Sequence, residues 1–152
     1  TWPGVTCNGN GDVQSIRLAN ANLTGRLPSS LGQLSHLKML MLHGNSLHGK
    51  LPESIGSLTN LTRIDLSSNL LNGSIPSSIG NLSTLLSLNL GYNQLLGGFP
   101  NSMTKLKSLR VFSLRNNNMT GILVDSTLSS LTSLQYLDLS GNLFRSTIPS
   151  AI

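Results

Sequence analysis

Between Leu61 and Thr84, apolar side chains fall at Leu61, Ile64, Leu66, Leu71, Ile75, Ile79 and Leu82, and displacing the sequence by 24 residues lays most of the chain onto itself. In Arg63-Ile64-Asp65-Leu66 polar and apolar residues alternate, the period of a strand with one buried face. Asn69 follows where the chain must turn, and Asn45, Asn93 and Asn117 repeat it at the same interval, as Pro28, Pro52, Pro76 and Pro100 repeat one another. An inward amide at such a turn can bond backbone groups left without partners, a structural role. Gly73 then permits a tight or positive-φ backbone and Pro76 fixes φ near about −65°, so the return path reads as irregular or 3₁₀-like. One unit of this kind cannot bury its own leucines. Successive units must stack with their strands parallel to share a continuous core.

Six units follow one another, at 13–36, 37–60, 61–84, 85–108, 109–133 and 134–152. The first has Ala21 where the Asn belongs, and the fourth uses Phe99 and Met103 as apolar substitutes. The fifth has Val124 in place of proline and one additional residue, assigned to Asp125-Ser126-Thr127, where the convex loop should bulge. The sixth carries Asn142 and Ile148-Pro149, has Ser146 for the usual glycine, and stops inside its return path. Residues 1–12 read as a cap remnant: a short strand in Trp2-Pro3-Gly4-Val5-Thr6-Cys7 and a tight turn in Asn8-Gly9-Asn10-Gly11, expected to lid the core.

The first eleven positions of the repeat L-x-x-L-x-L-x-x-N-x-L-x-G-x-I-P are the leucine-rich repeat signature. With W-x-G-V-x-C ahead of it, the whole chain resembles the plant-type leucine-rich repeat ectodomains of receptor-like kinases and receptor-like proteins. The resemblance implies an α/β-type solenoid, a right-handed superhelix with a parallel concave β-sheet and an irregular, 3₁₀-rich convex side. In that family the cap cysteine pairs with one just before the tryptophan. Cys7 is the only cysteine here, so two readings stand: a buried free thiol, or a disulfide to a residue ahead of Thr1. The resemblance also implies further repeats after Ile152, then often a membrane span and a cytoplasmic kinase.

At 38% apolar residues the chain has material for a sizeable core, and no apolar run approaches the ~20 residues that cross a bilayer. The net charge is +5, with Lys105, Lys107, Arg110 and Arg115 crowding the border of units four and five. Aromatic residues make up 4% and do not interleave with the basic ones, which argues against nucleic acid and leaves acidic peptides, acidic domains or polyanions.

Outward strand positions are where a ligand would be met. The first column is Ser15, Met39, Arg63, Ser87, Val111, Tyr136; the second Arg17, Met41, Asp65, Asn89, Ser113, Asp138; the third Ala19, His43, Ser67, Gly91, Arg115, Ser140. Tyr92 lies beside the third, in a column with Asn20, Gly44, Ser68, Asn116 and Gly141. Met39, Met41 and His43 form a soft patch where polar residues would cost nothing, and Tyr92 and Tyr136 are natural aromatic anchors. The candidate ligand-binding residues are therefore Met39, Met41, His43, Arg63, Asp65, Asn89, Tyr92, Arg115, Tyr136 and Asp138.

Other chemistry finds little support. Asp65 and Asp138 sit three strands apart, roughly 14 Å at ~4.8 Å per strand, too far for a glycosidase pair of ~5 to 10 Å. His36, His43 and His48 diverge with no acidic or thiol ligand joining them, so no metal site is expected. No catalytic histidine is aimed at Cys7, and the glycines lack the phosphate-loop order, so neither an enzyme nor a cofactor is read here. Sequons stand at Asn22, Asn60, Asn72, Asn81 and Asn118, glycan acceptors in a secreted chain.

What the resemblance implies is an extracellular, cell-surface or apoplastic module that recognises a peptide or another leucine-rich repeat receptor, reaching a membrane only through a downstream segment. The short co-receptor kinases of the family carry tyrosines where Met39 and His43 stand. Its peptide-hormone receptors often show an Arg-x-Arg pair, whereas Arg115 follows Ser113 and Arg17 precedes Ala19. A secreted polygalacturonase inhibitor and a non-signalling structural scaffold are the alternatives.

Overall fold

The computed structural model describes residues 2–122 and 125–145, with the side chains of 125 and 126 left aside. In chain order the strands are β1 (Val5–Cys7), β2 (Val13–Arg17), β3 (Thr24–Gly25), β4 (Met39–Met41), β5 (Ser46–Gly49), β6 (Arg63–Asp65), β7 (Leu70–Gly73), β8 (Ser87–Asn89), β9 (Gln94–Gly97), β10 (Val111–Ser113), β11 (Asn118–Met119) and β12 (Tyr136–Asp138). They form a seven-stranded sheet in the order β1-β2-β4-β6-β8-β10-β12 and a five-stranded one in the order β11-β9-β7-β5-β3. Apart from β1, which runs antiparallel to β2, all pairings are parallel.

The first sheet follows from the alternation. Ile64, Leu88 and Phe112 point inward and are essentially sealed, stacked in register from strand to strand. The proline column then turns the chain. Pro28, Pro52, Pro76 and Pro100 have φ of −75, −72, −67 and −67°, and each carbonyl accepts the N–H three residues on, opening 3₁₀ helices at Ser29–Gln33, Glu53–Ser57, Ser77–Asn81 and Asn101–Lys105. These helices stack along the convex side. A Cβ on Gly56 would collide with the carbonyl of Ser78, and one on Gly80 with that of Ser102, so the helices approach to backbone distance.

Asn69 shows why the amide column recurs. Its Nδ2 donates to the carbonyls of Leu42, Leu66 and Ser67 at 3.0, 3.2 and 3.1 Å, while its Oδ1 accepts the N–H of Leu47 at 3.0 Å. Asn93 does the same one coil later, and Asn45, Asn117 and Asn142 complete the ladder. Ala21 has no amide, and its own N–H donates to Asn45 Oδ1 at 3.0 Å.

Four features depart from the sequence reading. The second sheet, on the flank beyond the asparagine ladder, was expected to be irregular chain. The bulge expected in the fifth unit is a short helix, α1 (Asp125–Ser129), because the additional residue lengthens the turn from 3₁₀ to α spacing. Cys7 is exposed, which overturns the buried-thiol reading, since β1 lies at the sheet edge rather than over the core. For the same reason β1 is an incomplete lid: a cleft of about 810 Å³ lined by Val5, Val13, Ile16 and Leu34 stays open, and Trp2 is 81% exposed. Val124, Ser146 and Ile148-Pro149 lie outside the described residues.

Candidate functional site

The outward columns of the first sheet form one continuous concave tract. Register places Met39 beside Arg63 and Met41 beside Asp65, then Arg63 beside Ser87 and Asp65 beside Asn89, then Val111 beside Tyr136 and Ser113 beside Asp138. Asp65 and Asp138 thus have Asn89 and Ser113 between them.

Four polar residues of the second column do the same local work. Asp65, Asn89, Ser113 and Asp138 each accept, through a side-chain oxygen, the N–H two residues on, at 3.0, 3.2, 3.5 and 3.0 Å. The turn after each strand is fixed this way. Each aspartate spends Oδ1 on its turn, where Ser67 and Ser140 hydroxyls also donate at 2.6 Å, and turns Oδ2 to its neighbours.

Around Asp138 those neighbours converge. Arg115 Nη1 lies 3.6 Å from Asp138 Oδ2, the Tyr136 hydroxyl donates to the same oxygen at 3.4 Å, and the Arg115 guanidinium stands 5.9 Å from the centre of the Tyr92 ring. The Ser140 hydroxyl, then its N–H, hold the Asp138 carboxyl below the usual carboxylate range, with Arg115 and Tyr136 adding to the effect against partial burial. Tyr92 presents its ring from a left-handed backbone with φ of 55°, unusual for a bulky residue, and is 48% exposed. The sequence named all four residues but not their convergence, because it depends on three different coils meeting.

At the other end, Arg17, Ala19, Met39, Met41, His43 and Arg63 line a shallow depression of about 300 Å³. Arg17 Nη2 reaches Met39 Sδ at 3.6 Å. His43 Nδ1 lies 3.6 Å from Asp65 Oδ2 and makes no hydrogen bond among the described residues. His36 Nδ1 likewise lies 3.6 Å from Asp12 Oδ2, a pair separate from the first. Among the described residues no cluster of three metal-binding side chains occurs. A second depression, about 500 Å³, continues from Met41 and Arg63 across Asn89 to Tyr136, and adds Arg110, Val111 and Gln135, which the column argument left out as ligand residues. Arg110 and Gln135 precede their strands, outside the columns that the alternation defines.

The family model described as "Leucine-rich repeat region" matches residues 15–149. The chain belongs to the leucine-rich repeat family. Within this leucine-rich repeat family its likeness is to plant receptor ectodomains. The structure solved as PEPR1-AtPEP1 superposes with a TM-score of 0.95 at 32% identity, covering 100% of this chain and 21% of that one. The ectodomain of the receptor kinase SOBIR1 from Arabidopsis thaliana superposes with a TM-score of 0.85 at 30% identity, covering 96% of this chain and 84% of that one. A probable leucine-rich repeat receptor-like protein kinase of Arabidopsis thaliana is 50% identical over 44 residues, 29% of this chain. The chain spans between 4% and 20% of the length of the curated relatives it matches. Among the described residues, no helix is long and apolar enough to cross a membrane.

Proposed function

We propose that this leucine-rich repeat chain is a binding module of an extracellular plant receptor, and that its concave tract takes an extended peptide with acidic and aliphatic side chains. Residues 1–12 serve as a cap remnant and 13–152 as the repeats. The observation that carries the reading is the run of two depressions sharing Met41 and Arg63, with Arg17 and Arg63 over an apolar methionine floor at one end and Arg110 at the other. Arg17, Arg63, Arg110 and Arg115 outnumber Asp65 and Asp138 along the tract, so the balance of charge facing a ligand is positive. Methionine suits side chains of varied shape, and the tyrosines add rigid contact at small entropic cost. The likeness to a structure described as the plant peptide hormone receptor RGFR1 in complex with RGF2 supports a peptide as the ligand class.

Selection of a displayed random peptide library on the immobilised chain tests this. Enriched peptides should pair Asp or Glu with aliphatic residues, and Tyr92→Ala, Tyr136→Ala and Arg63→Ala should each weaken their binding at unchanged melting temperature. Equal affinity in all three variants would move the site off the concave face.

A further inference from the structure

We propose that the outer face of the second sheet is a glycan-bearing flank, in which N-linked sugars on Asn72 and Asn118 lie over Leu70 and Leu96. The inference rests on the extracellular reading above but concerns a different face. Leu70 and Leu96 are 45% and 51% exposed, on strands whose neighbouring leucines Leu71 and Leu95 are fully buried. Each offers apolar surface that a neighbouring sugar ring could cover.

The register shows what stands beside them. Leu96 pairs across the sheet with Asn118, and Asn72 pairs with Gln94, two residues before Leu96 on the same face. Leu70 lies two residues before Asn72 on the same strand and face. Leu96 therefore sits between the two sequon asparagines, and Asn72 between the two leucines, at separations of about 5 to 8 Å set by strand spacing and pleat. Both asparagines are exposed, and among the described residues neither side chain makes a hydrogen bond. Asn60 differs, because its Nδ2 donates to the Ser35 carbonyl at 2.8 Å. The apolar C–H face of the first sugar ring can pack on the leucines while its hydroxyls meet water.

The donor class is a lipid-pyrophosphate oligosaccharide. The side-chain nitrogen of Asn72 or Asn118 bonds to the anomeric carbon, the bond from that carbon to the pyrophosphate oxygen breaks, the lipid pyrophosphate leaves, and the amide gives up one proton. A flank so covered is closed to protein partners, which leaves the concave tract open to them.

The chain secreted from cultured plant cells provides the test. Enzymatic release of N-glycans converts an occupied asparagine to aspartate, so peptide mapping should read aspartate at positions 72 and 118. Release should also raise the fluorescence of an apolar-surface dye, and the Leu70→Ser/Leu96→Ser double variant, which changes only exposed positions, should lose that rise. Unmodified asparagines at both positions, or dye binding indifferent to release, would overturn the proposal. Unmodified asparagines with peptide binding intact overturn this inference alone; lost peptide binding with both sites occupied overturns the concave reading alone.

Discussion

Tyr92 holds a conformation its side chain disfavours. The same position in other coils is Asn20, Gly44, Ser68, Asn116 or Gly141, all with φ between 51 and 69°, so the turn demands a left-handed residue and tolerates a tyrosine. Such strain costs of order 1 kcal/mol, and it is kept where the side chain serves another purpose. Tyr92→Gly should therefore raise or preserve the melting temperature while weakening peptide binding; a variant that binds as the parent does would show the ring to be idle. Asp138 makes the complementary case. Its carboxyl is depressed chiefly by Ser140, so its contribution to stability is complete above about pH 4 and is lost as pH falls through the lowered value. Asp138→Asn should flatten the acid limb of the melting curve, and an unchanged limb would show that the carboxylate adds nothing.

Two elements carry the coil geometry, and they differ in how visible they are in the sequence. The asparagine ladder is legible because a side chain that bonds four backbone groups is hard to replace between two stacked coils, and only the first unit, with Ala21, lacks it. Asn93→Ala would leave the N–H of Leu71 without a partner and take one of two donors from the carbonyls of Leu66, Leu90 and Gly91, which keep Asn69, Asn117 and the Ser68 N–H. At about 1 to 3 kcal/mol for one buried unsatisfied group, the loss should fall in that range in denaturant unfolding. Gly56→Ala on the convex side should cost about 1 to 3 kcal/mol by overpacking against Ser78, whereas alanine at Gly9, which faces open space, should be close to neutral. The second sheet stayed hidden for a physical reason. Leu70 and Leu96 fill outward positions in β7 and β9, so the alternation that betrays a half-buried strand is erased. The concave columns were readable from spacing, but the Arg115–Asp138–Tyr136 contact was not: it needs the extra residue of the fifth unit to be absorbed in α1, so that Ser113 and Asp138 remain in register.

At the scale of the molecule, a solenoid has no contacts between distant coils, so its stability is a sum of coils and the interfaces between them. An interior coil has two interfaces and an end coil one. The first coil is further weakened: Ala21 cannot serve the ladder, and the cleft behind β1 leaves Val13 and Ile16 only half-buried. Amide exchange should therefore be slowest in β6 and β8 and quicken toward β2, as opening proceeds inward from the end. Leu66 is fully buried in the middle of the stack, and Leu66→Ala should cost roughly 2 to 5 kcal/mol through the cavity it leaves. Because that cavity lies on interfaces shared with the coils on either side, protection should fall in β4 and β8 as well as β6. Ile16→Ala at the open end should cost less and leave β8 unaffected. Uniform loss of protection along the chain in both variants would mean that the coils open as one cooperative unit, and the nearest-neighbour account of this leucine-rich repeat stack would be wrong.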